Sequence, residues 1–218
     1  AEEIARLDSD LKVASVIDFP EGKSSPDLKA GELLVARDYG ADEFDVVADY
    51  QALIAGDEIR FYNGILWASR AAKEQTLKVI FENYSLPDEL KKKAYELAKR
   101  AFQQSGYTAN RMFKTSTGFV RATDDRPTGA TMEDLVLMAE VSGGEVGLKA
   151  SGGVSDFASA AKAISIMHAS LKRSGNNACQ AQLLQTSEGV SGIDPSLFRI
   201  GTSSGAVFTP GRKAFSGY

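Results

Sequence analysis

RMFKTSTG (residues 111–118) and EVGLKASGG (145–153) are two short apolar runs, each carrying one lysine and ending in a turn rich in hydroxyls and glycine. Lys114 follows Phe113 directly, and Lys149 follows Leu148. The layout recurs on both sides. EFDVVA (43–48) sets Asp45 between Phe44 and Val46, and LKVIFE (77–82) sets Lys78 between Leu77 and Val79. LFRIG (197–201) runs into Thr202-Ser203-Ser204-Gly205. With KVASVIDF (12–19), which stops at Pro20-Glu21-Gly22, these make six strand candidates.

Helical patterns separate them. They are expected over 26–39, where Gly40 ends the run, over 50–74, over 87–105 with Pro87 near the first turn and Gly106 past the end, from Thr131 with Asp134 three residues on, and over 156–172. Strands alternating with helices imply βαβ units and a parallel sheet. An open doubly wound sheet and a (β/α)8 barrel both fit, and periodicity does not choose between them. Residues 174–196 read as an insertion, loop or loosely helical, and 206–218 as a flexible C-terminal tail.

The 218 residues carry 25 Lys+Arg against 29 Asp+Glu, a net charge of −4. This mild acidity argues against nucleic acid or an anionic membrane surface as partner. At 43% hydrophobic and 25% charged, the chain reads as globular and able to bury a core, a single domain over 1–218. Cys179 is the one cysteine, so no intramolecular disulfide forms and a reducing, cytoplasmic setting is expected. His168 is the one histidine, so a transition-metal centre is not expected. No apolar run reaches the roughly 18 residues of a membrane span.

Parallel strands covered on both faces should be almost wholly apolar. One charge in one strand reads as a strand end turned to solvent. The same departure at Asp45, Lys78, Lys114 and Lys149 is more simply explained by convergence on one cleft, at the carboxyl ends of the strands if the sheet closes as a barrel. Two lysines and a carboxylate in such a cleft have a definite chemistry. Burial and a second cation lower a lysine towards neutrality, and the neutral amine forms a Schiff base with a carbonyl. The protonated iminium then stabilises a carbanion on the next carbon, so carbon–carbon cleavage needs no cofactor, and none is expected. The turns at 115–118, 151–153 and 201–205 offer N–H groups and hydroxyls suited to a phosphate. Small phosphorylated carbonyl compounds are the expected partners, with a homodimer as a possible assembly.

KTSTGF (114–119), LKASGGV (148–154) and RIGTSS (199–204) resemble, in order, the signature segments of the deoxyribose-phosphate aldolase family. VIDFPEG (16–22), GADEFDVV (40–47) and LKVI (77–80) are similar to further family segments. The resemblance implies a class I aldolase on a (β/α)8 TIM barrel, reversibly cleaving 2-deoxy-D-ribose 5-phosphate to acetaldehyde and D-glyceraldehyde 3-phosphate. It implies that Lys114 forms the Schiff base, that Lys149 is the second lysine, that Asp45 shuttles protons, and that Lys78 sits beside that carboxylate. It places Gly118, Gly152, Gly153, Ser203 and Ser204 at the phosphate, and gives the terminal Tyr218 a part in proton transfer.

Departures are visible too. Ser155 stands where the family commonly has arginine, Asp49 adds a carboxylate after the Asp45 segment, and the stretch from 172 to 196 is longer than usual. The family's first two strands have no counterpart, so the six strands would be its third to eighth, and AEEIARL (1–7) the end of its second helix. A fragment of a longer protein is the simplest expectation. A second reading is an aldolase-like protein with weak catalysis that acts as a binding or scaffold protein. A third is a Schiff-base aldolase of another donor.

Overall fold

All six expected strands form, and they lie side by side in one parallel sheet. The structure is a computed structural model that describes residues 12–173, 183–185, 191–193 and 197–202. In chain order its elements are β1 (Ala14–Ile17), α1 (Pro26–Asp38), β2 (Glu43–Val47), α2 (Tyr50–Ile54), α3 (Glu58–Ala72), β3 (Thr76–Ile80), α4 (Asp88–Ser105), β4 (Arg111–Lys114), α5 (Met132–Ser142), β5 (Gly147–Ser151), α6 (Phe157–Arg173), β6 (Leu183–Gln185), β7 (Ser191–Ile193) and β8 (Phe198–Gly201). The sheet order is β1-β2-β3-β4-β5-β8.

Alternation along each strand sorts the residues onto two faces. The register aligns Asp45 with Lys78, Lys114 with Lys149, and Lys149 with Arg199. Glu43, two residues before Asp45, shares its face. The charges therefore fall on one side of the sheet. Phe44, Val46, Leu77, Val79, Phe113 and Leu148 fall on the other, fully or almost fully buried under the helices. There Phe81, Tyr95, Phe113 and Phe102 pack as an aromatic group, with Phe81 and Tyr95 edge-on at 4.8 Å. Each such side chain contributes about 1.5–3 kcal/mol by leaving water.

The sheet is curled around its charged face. Arg199 on β8 forms an ion pair with Glu43 on β2. In a flat sheet strands four places apart lie ~19 Å from one another, and side chains standing off the sheet do not bridge that gap. Curling brings the two strands face to face across an interior, with helices outside. This is α/β barrel architecture, with six parallel strands among the described residues.

Local signals account for the helix starts. Asp49 opens α2 by accepting from Ala52 N at 3.0 Å, and Thr131 opens α5 by accepting from Asp134 N at 3.1 Å. Gly106, at φ 81°, ends α4 in the left-handed conformation. The long helical region expected over 50–74 forms as two helices. Gly56, at φ 85°, breaks it, and Asp57 restarts it by accepting from Arg60 N at 2.9 Å. Residues 174–196 also differ from the loop or loose helix expected, because their described part is the antiparallel pair β6–β7. Among the described residues no helix is long and apolar enough to cross a membrane.

Candidate active site

The curl focuses the interior charges onto one carboxylate. Asp45 Oδ1 accepts from Lys78 Nζ at 2.7 Å, and Asp45 Oδ2 accepts from Lys114 Nζ at 2.7 Å and from Lys149 Nζ at 3.0 Å. Three lysines on three strands thus share one aspartate that is 4% exposed. Behind it, Glu43 accepts from Lys78 at 2.8 Å and pairs with Arg199. Four cationic side chains face two carboxylates in this cluster.

That imbalance sets the protonation chemistry. Burial opposes the charge on Asp45, but Lys149, Lys114 and Lys78 outweigh it and hold the carboxyl well below the usual range. Burial is the main reason that Lys149 falls below the ordinary lysine value; Asp45 opposes this, and Lys114 and Lys78 add to it. For Glu43 burial is overcome by hydrogen bonds from Arg199 and Lys78, which keep it low. Asp45 is thereby held firmly ionised, and the Lys149 ammonium beside it is destabilised.

A cleft of about 460 Å³ opens above Lys114 and Lys149, lined by Thr117, Gly118, Ser151, Gly152, Gly153 and Thr202 among others. Gly118, Gly152 and Gly153, singled out as phosphate ligands, are all here, at φ 84°, 79° and 72°. Ser155 also lines the cleft. The turns after β4 and β5 are tied together. Thr115 Oγ1 donates to Ser151 O at 2.8 Å and accepts from Ser151 N at 3.0 Å. Ser203, Ser204, Tyr218 and Cys179 lie outside the described residues.

One residue, Asp49, is placed differently from its reading in sequence, whereas His168 is the helix residue it was expected to be. Asp49 does not join the lysines; it caps α2 and pairs with Arg60 at 2.6 Å. His168 lies on α6, edge-on to Phe198 at 6.2 Å. Four participants were missed. Glu43 and Arg199 are charges within strands at the parity of Asp45 and Lys149, a signal the sequence does contain. Glu82 ends the β3 run and accepts from Thr117 N at 3.0 Å. Gly129 passes so close to Gly152 that a Cβ on it would sit 2.3 Å from the Gly152 carbonyl carbon. Nothing in the local sequence signals that crossing.

No family model matches the chain. Curated relatives do. A deoxyribose-phosphate aldolase of Deinococcus radiodurans is 44% identical over 146 residues, 67% of this chain and 60% of the relative. One of Shouchella clausii is 34% identical over 219 residues, covering the whole chain and 79% of the relative. Among solved structures, an aldolase designated QR15 superimposes with a TM-score of 0.65 at 28% identity, covering 94% of this chain and 74% of that one. The chain spans 60–65% of the length of several of the curated relatives it matches. Where the match does run long, it keeps 34% identity over 79% of the relative: the chain belongs to the deoxyribose-phosphate aldolase family.

Proposed function

We propose that the chain is a Schiff-base aldolase that reversibly cleaves 2-deoxy-D-ribose 5-phosphate into acetaldehyde and D-glyceraldehyde 3-phosphate. The observation that carries this reading is the sharing of Asp45 Oδ2 by Lys114 and Lys149, at 2.7 and 3.0 Å.

The geometry suits the following sequence. Neutral Lys114 Nζ attacks C1 of the open-chain aldehyde, and the carbinolamine loses water to give an iminium. Asp45 takes the proton of the C3 hydroxyl. The C2–C3 bond breaks, its electron pair enters the iminium as an enamine, and C3 leaves as the aldehyde of glyceraldehyde 3-phosphate. Protonation of C2 and addition of the water lost earlier release acetaldehyde and the free lysine. Lys149, close to the same carboxylate oxygen and below its ordinary pKa, suits the handling of protons between Asp45 and the reacting carbons. The open glycine turns at 118 and 152–153 suit the 5-phosphate, whose charge the cationic excess favours.

Borohydride reduction during turnover of deoxyribose phosphate, followed by peptide mapping, tests the reading. A covalent adduct on Lys114 is expected. An unmodified full chain after reduction with substrate would sink the proposal. An intact lysine–aspartate cluster gives the scaffold reading no support.

A further inference from the structure

Glu82 follows β3 and is 2% exposed. Its backbone is in the left-handed region, φ 52°, which L side chains rarely adopt. Its Oε2 accepts both from Thr117 N, at 3.0 Å, and from the Thr117 hydroxyl, while Oε1 is buried without a hydrogen-bond partner. Thr117 Oγ1 in turn accepts from Phe119 N at 3.1 Å. The flanking residues grip the same segment: Phe81 N donates to Lys114 O at 3.1 Å, and Asn83 N to Thr115 O at 3.0 Å. A strained, buried carboxylate with half its acceptor capacity unused is a costly way to fasten a turn. Such costs persist where the surroundings hold a functional geometry in place.

We propose that Glu82 is a positioning residue of the aldolase site, fixing the shape of the 114–119 turn through Thr117 so that Gly118 faces the substrate. The inference rests on the aldolase reading and deepens it. Thr117 and Gly118 line the cleft and Glu82 does not, so Glu82 acts through them. With its proton committed to Glu82 and its oxygen accepting from Phe119 N, the Thr117 hydroxyl ties the turn together beneath the cleft. The phosphate is left to the glycine turns.

The full chain is compared with Glu82→Ala, Glu82→Gln and Thr117→Val by cleavage of 2-deoxy-D-ribose 5-phosphate and by calorimetric binding of inorganic phosphate. Glu82→Ala should raise KM about tenfold with kcat little changed, and weaken phosphate binding in step. Glu82→Gln keeps an acceptor and the shape while removing the charge, so it should recover most of the loss. Thr117→Val should reproduce Glu82→Ala, and the double variant should be no worse than either. The proposal is overturned if Glu82→Ala leaves KM unchanged, if phosphate binds it more tightly than wild type, or if the Glu82 and Thr117 losses multiply. Should Glu82→Ala fail to fold, Glu82→Gln and Thr117→Val carry the same comparison. A wild type that neither cleaves nor is trapped by borohydride overturns the aldolase reading instead, and the phosphate comparison still decides the role of Glu82.

Discussion

Lys149 Nζ lies 3.0 Å from Asp45 Oδ2, the oxygen that also accepts from Lys114 at 2.7 Å, although 104 residues separate the two in sequence. The strands that carry them, β5 and β2, are not neighbours in the sheet. Only the curl brings them together. Burial and the neighbouring cations Lys114 and Lys78 lower Lys149 from the ordinary lysine value, against the pull of Asp45.

Lys114 and Lys149 should therefore separate in their chemistry. Lys114→Ala should abolish borohydride trapping and lower kcat/KM by on the order of 10³-fold or more. Lys149→Leu should keep Lys114 as the only trapped site while lowering turnover by about 10²–10⁴-fold. Peptide mapping of the reduced adduct checks both. An adduct on Lys149 in the wild type would reverse the assignment.

Gly201 guards the space that Lys149 occupies. A Cβ there would lie 2.6 Å from Ser151 Oγ and 3.1 Å from Lys149 Cε. Gly201→Ala should fold, displace the lysine and reduce kcat by up to about 10²-fold, as small misplacements of catalytic groups do. Kinetics alongside a melting curve would show the two effects apart.

Arg111 stands at the opposite, amino-terminal end of β4 and is 1% exposed. Its guanidinium donates to Ser69 Oγ at 2.8 Å, Ser69 O at 2.9 Å and Gln75 O at 2.9 Å, and also to Lys73 O. Burial lowers it to about 10. Arg111→Met strands these buried acceptors and should cost about 3 kcal/mol of stability, with KM unchanged. Denaturant titration with parallel kinetics measures this. A change in KM without loss of stability would contradict it.

Glu82 should carry an opposite pH signature to Asp45. Burial pushes the Glu82 carboxyl above its ordinary value of 4.5, against the Thr117 hydrogen bonds and Lys114, the cation that acts on it. A carboxyl raised on folding binds more protons folded than unfolded, so its ionisation removes stability as pH rises through 4.5 and on through the folded value. Asp45, lowered on folding, adds stability above its unfolded value and loses it as acid protonates it. Subtracting wild type from Glu82→Gln cancels the Asp45 contribution. The difference should shift in favour of the glutamine variant as pH rises above 4.5, read by denaturant midpoints. A difference independent of pH would count against the raised carboxyl.

Much of this site was legible along the chain, because it is built from strands. A charged residue within an apolar parallel strand conflicts with its surroundings wherever it is buried, so Asp45, Lys78, Lys114 and Lys149 stand out from their neighbours in the sequence itself. The same test, applied two residues before Asp45 and at Arg199, also reaches Glu43 and Arg199. Asp49 misleads for a local reason: a carboxylate just before a helix is as useful to the helix as to a cleft, and here it caps α2. The break at Gly56 was written in the Gly-Asp pair that ends one helix and starts the next.

The sequence by itself determined the six strands, their parallel sense, and the charges Asp45, Lys78, Lys114 and Lys149 carried within four of them, because side-chain alternation and turn chemistry are local properties of the backbone. The tertiary structure alone decided that these charges share one carboxylate, that Arg199 meets Glu43, that Gly129 crosses Gly152, and that Glu82 fastens Thr117 beneath the cleft. Each of these is a contact across the curl or between turns on different strands. Its distance is set by how far the whole sheet bends, a quantity that no single segment carries.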